Sequence, residues 1–408
     1  MTDKNNNKTL YISLVGVYLI VSAISFIVFK KIVFASHVAP AAISTAEVGS
    51  ARTKIDPALP KTEECPINGA KYTTVERGIW EGRRPITAII ENHLDSRPQS
   101  GLSKADVVYE AVAEGGITRF LGVFYCGTAA GDVRIGPVRS ERVYFAKWAH
   151  EYGINPINVH VGGANNVDNH SANGKKAFGQ VDKTVDAFQL LIDFGWRVPG
   201  GNDMDGGTSV GYPIMWRDPE RLPGVATEHT FMGSTDKLYD EGAKRGFGPT
   251  NSDGSSWNKT YISWKFADGK ALSSPTATDI NFEFWKNKPD YAVEWKYDAA
   301  NNQYLRFNGG KPHIDFDNGK VQLSAKNVAF QFVTEKGPVD KEYHMYYENY
   351  GSGKALVFNN GGVIEGTWKR ATLNDRTIFY DKAGKEISFV RGAVWIEAVP
   401  SDNTIDYK

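Results

Sequence analysis

The chain has 408 residues, 41% of them apolar and 23% charged, which describes two or three folded domains and excludes a disordered protein. Lys plus Arg and Asp plus Glu are equal at 47 each, so charge gives no reason to expect nucleic acid or a general polyanion as partner. Cys65 and Cys126 are the only cysteines, too few for a zinc site or a disulfide framework, and neither a metal nor a cofactor is expected. A single bridge between them is disfavoured because Cys65 falls in a segment that reads as a linker.

In chain order, a short tail (1–9) precedes Leu10 to Phe29, a run without a charge. At 1.5 Å rise per residue that run spans about 30 Å, the thickness of a bilayer core, so it is expected to be a transmembrane anchor. A cleavable signal peptide is the alternative, but its apolar stretch is usually shorter, about 7–15 residues. Lys4 and Lys8 before the run are matched by Lys30 and Lys31 after it, so flanking charge leaves the orientation undecided. Residues 30–75, rich in Ala, Ser, Thr and Pro, read as a spacer.

A mixed α/β domain is expected over 76–248. Its strands are Ile86–Glu91, Val107–Ala111, Phe120–Tyr125 and Ile157–Val161. Helices are predicted from Ser140 to about Tyr152, from Asp182 to Gly195 and from Ser234 to Gly246, each with a capping side chain. A β-rich domain, barrel or sandwich-like, is expected over 249–408. Its aromatic runs, among them Tyr261–Phe266, Ala292–Tyr297, Val328–Val333 and Val394–Val399, are separated by turns such as Asn359-Asn360-Gly361. Gly351-Ser352-Gly353-Lys354 lacks the rest of a phosphate loop and reads as a β-turn.

From Arg77 to Arg142 the basic residues are eight Arg against the single Lys104, whereas from Phe145 onward 22 Lys face 8 Arg. Arginine's planar fork binds carboxylate or phosphate bidentately and tolerates burial, so this bias points to oxyanions held at fixed geometry. Those oxyanions are either the segment's own acids or a ligand. Arg139, Ser140 and Arg142 stand at a strand-to-helix transition and are expected to contact a ligand, with Arg97 and Arg119 beside them. Gly162 and Gly163 follow the strand bearing His160 and let backbone amides approach an anion. Glu91, His93, Glu110, Glu114 and His160 are the acid–base candidates, although a core histidine is the commoner outcome for His160.

The segments RPITAIIENHLDSRPQSGLSKADVVYEAVAEGGITRFLGVFY (84–125), IGPVRSERVYF (135–145) and VHVGG (159–163) resemble the YerB-like lipoprotein family, bacterial proteins of unknown function with two domains. GSGKALVFNNGGVIEGTWKR (351–370), FYDKAGKEI (379–387) and WIEAVP (395–400) extend the resemblance into the second domain. The resemblance implies a body outside the cytoplasm, a mixed α/β first domain and a β-rich second one. It supplies no catalytic residues. Typical members are tethered through a lipidated cysteine, and none follows the apolar run here, so the transmembrane helix would replace the lipid. Many relatives carry a Pro-His-Asn-like segment where this chain has Glu228-His229-Thr230, so His229 joins the ligand candidates with that departure noted.

Three functions follow as expectations. The first is a cell-envelope module binding an anionic, phosphate- or carboxylate-bearing ligand. The second is an envelope hydrolase or transferase acting on a phosphorylated or glycan substrate, and the third a structural or partner-docking protein.

Overall fold

Ile86–Glu91, whose six residues are all buried, forms the strand its composition predicts and pairs with Ile117–Phe124, which makes a hairpin with Val107–Glu114 around Gly115-Gly116. The computed structural model describes residues 55–166 and 181–408. The expected anchor Leu10–Phe29, the tail before it and residues 30–54 of the expected spacer lie outside the described residues. Among the described residues no helix is long and apolar enough to cross a membrane.

The fold is mixed and mostly β, with few helices. An 11-stranded sheet runs in the order Ile378–Asp381, Gly362–Arg370, Gly351–Asn359, Asn327–Lys336, Val394–Pro400, Val107–Glu114, Ile117–Phe124, Ile86–Glu91, Ile157–His160 and Asp203–Asp205, with Tyr346–Glu348 paired beside Asn327–Lys336. Val394–Pro400 inserts between Asn327–Lys336 and Val107–Glu114, parallel to both, so the two halves of the chain complete one sheet. Strands buried on both faces need near-continuous apolar sequence, and the six buried residues of Val394–Pro400 are apolar but for Glu397. The C-terminal half is therefore not a self-contained barrel or sandwich. Six of its other strands, Asp279–Phe282, Val293–Asp298 and Gln303–Asn308 among them, form a separate sheet, and Phe266–Ala267 pairs with Phe389–Val390.

Several local expectations are corrected. Gly351–Lys354 is not a turn but the start of a nine-residue strand, and Gly353 lies so close to Phe332 O and the Trp368 ring that a Cβ there would collide with both. The turn of that hairpin is Asn360-Gly361, both at positive φ, as a two-residue connection requires. Tyr261–Phe266 contributes only Phe266 to a strand. The helix expected from Ser140 is Val143–Ala149, prolonged by a 3-10 turn His150–Tyr152, and its cap residue is Arg142. The second helix starts at Ala187, capped by Asp186, with Asp182 capping a 3-10 turn before it. The third, Thr235–Lys244 with Ser234 as cap, matches its prediction.

The described end of the expected spacer is packed. Glu63–Glu64 and Lys71–Tyr72 pair as a short hairpin, Cys65 and Ile67 between them are fully buried, and Cys65 is disulfide-bonded to Cys126. The linker reading failed because two-residue strands carry no readable periodicity.

Candidate functional site

Strands Ile86–Glu91 and Ile157–His160 pair side by side only as far as Ala88 and Val159. Beyond that they part, and the extended segment 137–141 wedges between them. Arg139 N donates to Ile89 O at 2.9 Å, Val161 N donates to Arg139 O at 3.0 Å, and Glu141 N donates to Gly162 O at 3.0 Å. This capture by two strands is why Ser140 is not a helix cap. Crevices at the carboxyl ends of parallel strands, where neighbours diverge, are where α/β sheets gather ligands.

The wedge brings a charged cluster together. Glu114 accepts from Arg119 Nη2 through one carboxylate oxygen and from Arg142 Nη2, at 2.8 Å, through the other. Burial opposes its charge, but the Arg119 and Arg142 guanidinium groups override it and hold the carboxyl at about 2. Arg119 also donates to Ser140 O at 2.9 Å, and burial, then the charge of Arg142, bring its guanidinium down to about 10. Arg139 Nε lies 3.0 Å from Glu91 Oε1, and Glu91 Oε2 accepts from His229 Nδ1 at 2.9 Å. His93 stacks on His229 with ring centroids 4.7 Å apart. Three arginines thus face two carboxylates.

Exposure separates these groups. Arg119 and Arg142 are buried, whereas the side chain of Arg139 is 27% exposed and that of Glu114 29%. Arg139 Nη1 reaches Glu228 O at 3.4 Å, and its Nη2 makes no hydrogen bond to the described residues. Arg217 lies over the Phe231 ring at 5.1 Å and donates to Thr227 O, in the same turn that carries Glu228 and His229. Sequence reasoning missed Arg217, and also His344, which meets Glu114 across an isolated bridge and holds Asp340 at 2.9 Å. Neither lies near the first block in sequence, so only the topology reveals them.

Other residues singled out from sequence lie elsewhere in role. Glu110 is fully buried against Arg306 Nη2 at 2.5 Å, with Thr118 and Asn92 on its other oxygen, so it cannot reach a substrate. Arg97 is committed to Asn92 and to Asp290 O at 2.7 Å, and packs on the Tyr291 ring, joining the two halves rather than facing the crevice. His160 is a core histidine, donating to Asp203 through Nε2 and to Gly162 O through Nδ1 at 2.7 Å. Burial disfavours its charge, but Asp203 outweighs burial and lifts the imidazolium to about 10. Gly162 N donates to Asp205 Oδ1 at 3.0 Å and is not open to an anion. Gly163 is required for packing, since a Cβ there would lie 2.5 Å from the Phe188 ring.

The remaining arginines of the biased segment are paired within the protein. Arg77 holds Glu63 and Glu81, Arg134 holds Asp218 and Asp317, and Arg83 and Arg84 donate to backbone oxygens. The Arg-for-Lys bias therefore reports mostly internal carboxylates and carbonyls. A separate open cleft of about 430 Å³, lined by Arg197, Asp203, Thr208, Ser209 and Arg245, contains none of the residues chosen from sequence. Its guanidinium groups are tied to Asp203, Asp205 and Glu241.

This two-part body, mostly β and sharing one sheet, is that of the DUF3048 proteins, whose function is unknown, and the chain belongs to that YerB-like family. Residues 73–248 match the family's N-terminal domain and 280–396 its C-terminal domain. The chain is 29% identical over 346 residues to the "Putative lipoprotein YerB" of Bacillus subtilis (strain 168), covering 84% of this chain and 88% of that protein. The crystal structure of Bacillus subtilis YerB superposes with a TM-score of 0.62 at 26% identity, covering 85% of this chain and all of that one.

Proposed function

We propose that this protein is a membrane-tethered, extracytoplasmic binding module that holds a phosphate- or carboxylate-bearing ligand in the crevice where Ile86–Glu91 and Ile157–His160 part. The observation that carries the reading is Arg139, whose partly exposed guanidinium keeps Nη2 uncommitted above a cluster of three arginines and two carboxylates. A charge-assisted hydrogen bond of this kind contributes about 1.5–3 kcal/mol. Replacing Arg139 by Ala is then expected to weaken binding of inorganic phosphate or phosphorylated envelope fragments by roughly 10–100-fold in a calorimetric titration. Lys104→Ala, an exposed change, leaves affinity as it was. Equal affinity in the Arg139→Ala chain would discard the reading.

The Glu91–His229 pair favours a second reading, an envelope hydrolase or transferase. A buried carboxylate 2.9 Å from an imidazole orients that ring as acid or base, which Glu110 and His160 are too enclosed to do.

Two observations support the location. The Cys65–Cys126 bridge suits an oxidising compartment. The similar Bacillus protein carries the name "Putative lipoprotein YerB", and in this chain the uncharged run Leu10 to Phe29 has no cysteine near it to carry a lipid. A helical anchor would serve the same purpose. Protease added to protoplasts is expected to digest the body without lysis; protection until the membrane is broken would place it inside.

A further inference from the structure

We infer that His93, Asp95 and His229 form a binding site for a divalent transition-metal ion at the rim of the crevice. Each presents one ligand atom, and these atoms all lie within 4.8 Å of one another. The residues come from two loops: His93 follows Ile86–Glu91, Asp95 lies in the 3-10 turn Leu94–Ser96, and His229 ends the turn Thr227–His229. Nothing in chain order foretells the meeting of His229 with the other two.

The surroundings of His229 have the anatomy of a metal ligand. Glu91 Oε2 lies 2.9 Å from His229 Nδ1, and a carboxylate accepts only, so the ring proton is held on Nδ1 and the lone pair is left on Nε2. Metal-bound histidines are commonly fixed in this way by a carboxylate behind the ring. Glu91 is itself buried and ion-paired with Arg139 Nε at 3.0 Å, which holds its carboxylate toward His229.

The opposite side of the site is adjustable. His93 is 32% exposed and Asp95 60%; the His93 ring, stacked on His229 with Nδ1 accepting from Asp95 N at 3.2 Å, has to turn out of that stack to bring the donors to the roughly 3.4 Å that tetrahedral bonds of about 2.1 Å require. Two imidazoles and one carboxylate suit Zn²⁺ and its neighbours rather than Mg²⁺ or Ca²⁺, which take oxygen ligands. Three protein donors leave a coordination position open. The inference uses the same crevice as the anion reading but does not depend on it.

The test is titration of the full-length chain with Zn²⁺ in phosphate-free buffer, with Co²⁺ visible absorption as a second readout. One ion per chain is expected. Glu91→Gln should weaken it by about 10–100-fold, and His93→Ala and His229→Ala at least as much. Asp95→Asn, at an exposed side chain, tests the site should the histidine variants fold poorly. Zn²⁺ affinity unchanged by Asp95→Asn and His93→Ala, or no stoichiometric binding at all, overturns the inference. If Zn²⁺ fails to bind while phosphate still does, only the metal site falls.

Discussion

Replacing Arg306 by Ala is expected to destabilise the protein by about 3–5 kcal/mol, the cost of leaving a buried partner charge uncompensated. Arg306 and Glu110 are both fully buried, with Nη2 and Oε2 2.5 Å apart. Arg306 Nη1 also donates to His313 Nδ1 at 2.6 Å, and His313 Nε2 donates to Gln99 Oε1 at 2.6 Å. Burial, then the Arg306 charge, hold His313 well below the usual imidazole range, consistent with that neutral relay. Phe120, Trp295 and Trp395 enclose the guanidinium, with Trp395 centred 4.9 Å away. Burial and the neighbouring Glu110 push the Glu397 carboxyl well above the carboxylate range, so one carboxylate, not two, answers Arg306.

Glu110 belongs to the first half of the chain and Arg306 to the six-stranded sheet of the second, so the pair binds the two halves at their centre. Equilibrium denaturation of the Arg306→Ala chain measures the loss. Combining Arg306→Met with Glu110→Gln removes both charges and is expected to recover much of it. A single variant as stable as the parent would show that the pair does not hold the halves.

Opening the Cys65–Cys126 bridge should cost a similar amount. The cysteines are 61 residues apart in sequence, and closing a loop of that length removes chain entropy worth about 4 kcal/mol from the unfolded state. For roughly 350 folded residues that is a fall in Tm of about 5 °C. The bridge fastens the Glu63–Tyr72 hairpin beside Asp106, which accepts from the backbone of Tyr125, Cys126 and Gly127. Scanning calorimetry of the oxidised chain against a Cys65→Ala, Cys126→Ala chain checks the shift. Coincident melting would mean that packing alone secures the hairpin.

Legibility in the sequence followed the range of the interactions. Ile86–Glu91 and the helix after Ser234 were readable because composition and cap lie within a few residues. Glu114 and Arg119 were suggestive because they flank one hairpin turn, but Arg142, which shares that carboxylate, is 28 residues distant. The Glu110–Arg306 pair spans 196 residues, and no local pattern announces it. Ser140 has the chemistry of a cap, yet pairing of the wedge with strands on both sides outbids that propensity. The barrel expectation failed because runs such as Val394–Val399 record burial but not which partner strand buries them.

Crystals of the protein soaked in tungstate, a heavy oxyanion, address the crevice most directly. Anomalous density within hydrogen-bond reach of Arg139 Nη2 is the predicted result. A guanidinium still turned wholly to Glu91 and Glu228, with tungstate bound only in the cleft of Arg197 and Arg245, would contradict it.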